Sequence, residues 1–275
     1  MSKPIVQVIA HRGMGQGFVQ PDAPPENTLP AFAEGWKIAK ACELDVHLTK
    51  DGQVIVIHDD TTNRTTNASW IVRDRFSAEL RSLDAGRWKS QTWSGTRLPL
   101  LEDVLDEMPG DCELFIELKD GPQVVPPAAE IVRQSGKAAR VVFISFDIDT
   151  IALAKQEMPD NDCLLIVVFE ADYDHGGWKV LYDEGPGFRT VTKTYVEDEL
   201  IALVKQYNLT GIDTSFAVPP SLITRLTAEK LRSIVWTVDD PSIALDMVQL
   251  GVTTITTDRP QPVRDALIAA GYELR

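Results

Sequence analysis

The feature that most constrains this chain is its alternation of short apolar runs, rich in valine and isoleucine, with longer amphipathic stretches. The strand-like runs are Ile5–Ala10, Glu43–His47, Val54–His58, Leu114–Leu118, Val141–Ser145, Leu164–Phe169, Gly211–Thr214, Ser233–Val238 and Thr253–Thr257. Near-continuous hydrophobicity over so few residues is the mark of strands buried on both faces. Helical periodicity occupies residues 28–41, 101–107, 128–135, 149–158, 196–207, 221–231, 241–250 and 261–271. A strand followed by a helix, repeated along the chain, builds a parallel sheet covered by helices. The repetition favours a closed α/β barrel over an open doubly wound sheet. No Gly-x-Gly-x-x-Gly follows the first strand, which weakens a dinucleotide-binding reading. A chain of 275 residues, 44% hydrophobic, suits one such barrel with an insertion, because these barrels occupy roughly 250 residues.

Charge and cysteine content narrow the function. The formal net charge of -14, uninterrupted by a basic stripe, opposes binding to nucleic acid or to an anionic membrane surface. Cys42, Cys112 and Cys163 are odd in number and have no C-x-x-C spacing, so neither a disulfide framework nor a zinc site is expected. The amino terminus lacks a basic region followed by a long apolar stretch, and no segment approaches 18 apolar residues. A cytoplasmic protein is the expectation.

One connection breaks the βα rhythm. Asp51-Gly52 between two alternating runs is a hairpin signal, and no crossover helix fits between residues 48 and 54. With Asp51 and Gly52 as the two turn residues, Lys50 pairs with Gln53 and Asp45 falls opposite His58. Alternation then sets Glu43, Asp45 and His58 on one face. After Asp59 the strand pattern lapses, and residues 60–98 read as a small insertion above the barrel mouth.

The chemistry lies in residues at the ends of these runs. Of the four histidines, His11 and His58 each close an apolar run beside Arg12 or Asp59. Strand ends are where barrel enzymes assemble their sites. Two imidazoles can exchange protons near neutral pH, one accepting from an attacking hydroxyl and the other donating to a leaving alkoxide. Glu43 and Asp45 are two apart, so on a strand they point the same way, and Glu117 ends another strand. Bare carboxylates inside apolar runs are costly. An all-oxygen set without cysteine selects Mg2+, Ca2+ or Mn2+ over zinc. Arg12 and Lys119 supply positive charge for a phosphate, the first as a fork and the second as a point charge. Pro25-Glu26-Asn27-Thr28 offers a helix cap at Asn27 or Thr28, a carboxylate in Glu26 to orient His11, and an amide in Asn27 within reach of a metal. His175 belongs to a loop read as solvent-exposed.

Taken in order, His11-Arg12-Gly13, Pro25-Glu26-Asn27-Thr28, Glu43-Leu44-Asp45-Val46, Thr49-Lys50-Asp51-Gly52, His58-Asp59 and Glu117-Leu118-Lys119 resemble the glycerophosphodiester phosphodiesterase family, from Ile5 to about Pro260. The resemblance implies a TIM-type (β/α)8 barrel of the phospholipase-C-like phosphodiesterase superfamily, with its insertion just after His58-Asp59. It implies hydrolysis of a small glycerophosphodiester to sn-glycerol 3-phosphate and an alcohol, with His11 and His58 as acid and base. Glu43, Asp45 and Glu117 match the family's metal ligands, and Arg12 and Lys119 its phosphate contacts. Trp236-Thr237-Val238 is similar to a family element in which Asp239 here replaces an asparagine, and the Trp236 ring is placed against the glycerol. Attack by the glycerol 2-hydroxyl through a cyclic phosphate is the implied route, with direct attack by water as the competing path. A lysophospholipase-D-like relative would need an exposed apolar rim, for which Trp70, Trp88 and Trp93 are the candidates. A non-catalytic phosphoester-binding barrel would have lost a histidine or a ligand, and none is missing.

Overall fold

The computed structural model describes residues 3–17, 19–20, 22–174, 176–184 and 189–275, with Glu184 and Arg189 described in backbone only. His175 lies outside the described residues. The strands are β1 (Ile5–Ala10), β2 (Ala41–Leu48), β3 (Val54–Val56), β4 (Glu113–Leu118), β5 (Val141–Ser145), β6 (Asp162–Ala171), β7 (Trp178–Glu184), β8 (Arg189–Thr194), β9 (Gly211–Ser215), β10 (Arg232–Trp236), β11 (Thr254–Thr257) and β12 (Glu273–Leu274). Eight of them, β1, β2, β4, β5, β6, β9, β10 and β11, pair in parallel around a closed barrel. Closure is made by β1, which pairs with β11 over Gln7↔Thr254 to Ala10↔Thr257 and with β2 at Ala10↔Cys42.

Each strand is buried on two sides, which explains the unbroken apolar runs. Inward-facing Ile9, Ala41, Phe115, Val142, Leu164 and Ile234 fill the barrel, and Arg232 lies 5.7 Å from the Phe115 ring at its lower end. Outward-facing Val8, Leu44, Ile116 and Phe143 pack against the surrounding helices, among them α1 (Leu29–Ala39), α3 (Leu101–Glu107), α4 (Val125–Gln134) and α5 (Ile148–Glu157). All three cysteines are free and buried in this layer.

Three expectations are corrected. The first is the β2–β3 register, which is Val46↔Val56, His47↔Ile55 and Leu48↔Val54, so Asp45 stands opposite Ile57 and not His58. The turn holds three residues, with Gly52 at φ 77° and its N–H bonded to the Thr49 carbonyl. That is the type I turn closed by a left-handed residue, and only a glycine adopts that conformation without cost. A one-residue slip reverses every side chain. His58 nevertheless reaches the barrel mouth, because the chain leaves strand geometry after Ile57. The last backbone bond of the pair runs from Ile57 N to Asp45 O. The second is the β7–β8 hairpin, which pairs antiparallel with β6 over residues to which the sequence reading assigned no strand. Arg-Thr-Val-Thr-Lys-Thr of β8 contains a single large apolar residue, so hydropathy alone does not reveal it. The third is the α1 cap. Thr28 is the N-cap residue, but its hydroxyl donates back to the Pro25 carbonyl at 2.6 Å and does not cap the helix.

Residues 60–98 follow β3 and carry a small apolar cluster in which Val72, Leu80, Leu83 and Leu98 pack on Ile55 and Ile57. Their tryptophans do not form an exposed rim. Trp70, Trp88 and Trp93 are half-buried, Arg75 covers the Trp70 ring at 4.6 Å, and Trp88 Nε1 donates to the Ala85 carbonyl. Among the described residues no helix is long and apolar enough to cross a membrane.

The loop after β1 is pressed closely onto α1. A Cβ at Gly35 would lie 2.3 Å from the Gly13 carbonyl oxygen and 2.7 Å from Cys42 Sγ. Neither backbone nor core can yield cheaply there. Gly35→Ala is expected to destabilise the protein by about 2 kcal/mol, read as a lower midpoint in urea, and to lower activity through the displaced His11–Gly13 loop.

Candidate active site

The carboxyl-terminal ends of the barrel strands surround a cavity of about 200 Å³. It is lined on one side by His11, Arg12, Glu43, His58, Glu117 and Lys119, and on the other by Ile144, Phe146, Ile166, Asp213 and Trp236. The sequence scatters these groups over more than 200 positions; barrel closure brings them together.

Glu43 and Asp45 leave β2 on its inward face, and Glu117, in register with Asp45 on β4, joins them. One carboxylate oxygen from each lies within 4.8 Å of the others. Asn27 Nδ2 donates to Asp45 Oδ2 at 2.8 Å, so the asparagine orients an acid. Arg12 N–H donates to Glu43 Oε2 at 3.0 Å, Arg12 Nε lies 3.4 Å from Asp45 Oδ2, and Lys119 Nζ lies 2.6 Å from Glu117 Oε1 and 3.2 Å from Asp45 Oδ1. Arg12 and Asn27 both have left-handed backbones, at φ 50° and 56°, and Asn27 N–H bonds the Arg12 carbonyl at 3.0 Å. Such backbones cost about 1 kcal/mol or more for residues with a Cβ. The charge network is what holds them there.

Electrostatics divides the three acids. Burial, with Asp45 and Glu117 nearby, pushes the Glu43 carboxyl well up, and burial raises Glu117 as well. For Asp45 burial acts in the same direction, but Lys119, Arg12 and His58 outweigh it and hold the carboxyl well below its usual range. Burial would lower the Lys119 ammonium, yet Glu117 and Asp45 raise it. Glu43 Oε1 is buried without a hydrogen-bond partner among the described residues, and Asp45 Oδ1 has no hydrogen bond there beyond its 3.2 Å ion pair with Lys119. Clustered oxygens with unused lone pairs fit a hard divalent cation.

The two histidines are each fixed through Nδ1. His11 Nδ1 meets Asp258 Oδ1 at 2.6 Å, leaving Nε2 toward the cavity 3.8 Å from Glu43 Oε2. His58 Nδ1 meets Asp59 Oδ1 at 2.7 Å. Burial pulls the His58 imidazole down.

Four residues absent from the sequence reading complete the frame. Asp258 directly follows β11 and takes His11, the place assigned to Glu26. Glu26 turns instead to Arg12 Nη1 at 2.8 Å, to Gly17 N–H at 2.7 Å, and to Arg64 at 2.8 and 2.9 Å. Arg64, from the 60–98 segment, also grips Asp59 at 2.7 and 3.0 Å, so one guanidinium braces both the partner of Arg12 and the partner of His58. His47 donates from Nε2 to the His58 carbonyl at 3.0 Å while Nδ1 meets Asp120 at 2.7 Å. Burial opposes the charged ring, but Asp120 wins and raises it. Asp213, inward on β9, is 3% exposed, and burial with Glu117 nearby drives its carboxyl well up. Asp213 was legible only as an acid inside an apolar run; Arg64 and His47 gave no local signal.

Barrel, rim and charge pattern define the class: an α/β-barrel hydrolase built around an anion-binding, acid-lined mouth. The chain belongs to the glycerophosphoryl diester phosphodiesterase family, whose model matches residues 11–262, and is a phosphoric diester hydrolase. It is 31% identical to the glycerophosphodiester phosphodiesterase of Caldanaerobacter subterraneus subsp. tengcongensis, over 92% of this chain and 94% of that one. A structure from Silicibacter pomeroyi superimposes with a TM-score of 0.81 at 25% identity, covering 100% of this chain and 97% of the other. An Oleispira antarctica phosphodiesterase in complex with the product sn-glycerol-3-phosphate shares the fold, with a TM-score of 0.76 at 23% identity over 96% and 97% of the two chains.

The bracing by Arg64 has a pH signature. Burial would raise Glu26 and Asp59, but Arg64 with Arg12 or His58 holds each at about 2, below the usual 4.5 and 3.8. Depressed carboxyls contribute stability above their unfolded pKa and lose it as pH falls through the folded value. The melting temperature is therefore expected to drop between about pH 4.5 and pH 2. In Arg64→Ala that slope flattens, and kcat falls about tenfold at neutral pH.

Proposed function

We propose that the chain hydrolyses glycerophosphodiesters, the deacylated headgroup esters of phospholipids, to sn-glycerol 3-phosphate and an alcohol. The observation that carries this reading is the convergence of two carboxylate-fixed imidazoles, three clustered acids and two buried cations on one small cavity. Glu43, Asp45 and Glu117 would hold a divalent cation, Mg2+ or Ca2+ with Mn2+ the third candidate, which when bound withdraws charge from a phosphoryl oxygen and acidifies a nearby hydroxyl. Arg12 and Lys119 receive the phosphate. Each is already oriented by carboxylates, so little side-chain entropy remains to be lost on binding. His11 and His58 exchange protons with the attacking and departing oxygens through Nε2, and their partners Asp258 and Asp59 fix the tautomer that leaves Nε2 free. Trp236 and Phe146, edge-on at 5.9 Å, close the far wall against water. The glycerol 2-hydroxyl is the proposed nucleophile, giving a cyclic phosphate that water then opens.

The cavity holds a small polar ester, and the net acidic chain gives an anionic membrane or a nucleic acid no counter-charge. Both features support a soluble cytoplasmic substrate in lipid and glycerol metabolism.

Release of sn-glycerol 3-phosphate from glycerophosphocholine is expected with Mg2+ or Ca2+ and is expected to stop with chelator. His11→Ala and His58→Ala are each expected to lose about 10³-fold in kcat. Glu117→Gln is expected to abolish cation binding measured by calorimetry in the absence of substrate. Full activity of the histidine variants, or chelator resistance, refutes the reading. A substrate lacking the 2-hydroxyl is expected to be inert, and its turnover at the normal rate would eliminate the cyclic route.

A further inference from the structure

The unpartnered oxygens of the acid cluster fit a cation, but the opposite wall of the cavity also carries buried polar atoms that a cation there does not account for. Asp213 Oδ1, Ser215 Oγ and Trp236 Nε1 are buried with no hydrogen-bond partner among the described residues. Asp213 and Ser215 lie two apart on β9 and share its inward face, and Ser215 is in register with Trp236 on β10. Asp213 and Trp236 both line the catalytic cavity. Buried polar groups without partners are rare in folded proteins and call for a specific account.

The ordinary structural role for Asp213 is already filled. Arg232, the cation closest to it on the neighbouring strand, is committed to Asp162 and Gln7. Around the three atoms the wall is apolar, formed by Ile144, Ile166 and Phe146. A hydroxyl-bearing carbon chain matches this pattern: its CH groups pack on the apolar side chains while its hydroxyls meet the carboxyl, the indole N–H and the serine.

We propose that Asp213, supported by Ser215 and Trp236, is the residue that reads the free terminal hydroxyl of the esterified glycerol and so restricts the enzyme to deacylated diesters. This deepens the glycerophosphodiesterase reading and rests on it. A site built to bond a hydroxyl discriminates strongly against analogues that lack it, because its own buried groups are then left unpaired. Acylation of the glycerol removes a donor and adds bulk to the same wall.

The test compares glycerophosphocholine with 2-hydroxypropyl p-nitrophenyl phosphate, a diester that keeps the 2-hydroxyl but has no terminal hydroxyl, in the metal-loaded enzyme. Asp213→Leu is expected to lower kcat/KM for glycerophosphocholine about 100-fold, mainly through KM, and to stay within threefold of wild type on the nitrophenyl ester. Asp213→Asn, which keeps a donor and an acceptor, is expected to stay within tenfold on both. Calorimetry supplies a readout free of turnover: wild type is expected to bind sn-glycerol 3-phosphate at least tenfold tighter than ethyl phosphate, a preference that Asp213→Leu loses. If Asp213→Leu does not fold, Ser215→Ala is expected to halve that preference or more. Equal loss on both substrates, no loss on either, or an unchanged binding preference overturns the assignment. Failure of wild type to cleave glycerophosphocholine while it cleaves the nitrophenyl ester overturns the underlying functional reading instead.

Discussion

Three buried carboxylates balanced against Arg12 and Lys119 are the interaction on which the rest of this structure depends. Burial alone would neutralise all three acids, since a charge removed from water without a partner is too costly to keep. The two cations rescue Asp45 and leave Glu43 and Glu117 raised. The mouth is thus poised between an internal salt-bridge cluster and a cation site with oxygens to spare. The same cations that stabilise the fold at this point are those proposed to receive the phosphate.

The barrel supplies rigidity for this balance. Ile9, Phe115 and Leu164 fill the interior below the site, so strands bearing the acids cannot collapse toward one another. Above them the fixed distances come from carboxylate clamps. Asp258 holds His11, Asp59 holds His58, and Glu26 holds Arg12, while Arg64 ties the last two clamps together. The left-handed backbones of Arg12 and Asn27 show where strain is stored, at residues whose side chains are engaged by the acids they orient. Positive φ at Lys40, by contrast, closes a helix.

How far the sequence could be read followed from how local each signal was. Most strands of the barrel announced themselves because burial on both faces favours valine, isoleucine and other apolar residues along them. Glu43 and Asp45 were readable as a pair because strand periodicity is two. The β8 strand was not, since it pairs at the edge of an excursion and carries polar residues on both sides. The β2–β3 register was misread by one residue because Asp-Gly serves two-residue and three-residue turns alike, and only the pairing of Thr49 with Gln53 distinguishes them. His58 still arrives at the mouth, by leaving the strand and not by alternating along it.

By itself the sequence determined which chemical groups this protein owns and which of them lie at strand ends, because hydrophobic periodicity and residue type are local properties. Tertiary structure decided who partners whom. Asp258 and not Glu26 fixes His11, and Arg64 reaches back from a distant segment to two carboxylates. Asp213 faces the cavity with an oxygen unpaired. These outcomes depend on barrel closure, which brings His11 and Asp258, 247 positions apart, within hydrogen-bonding distance. Hydrogen bonds and ion pairs act over a few ångströms of space, and no pattern along the chain encodes a distance that exists only once the chain has closed on itself.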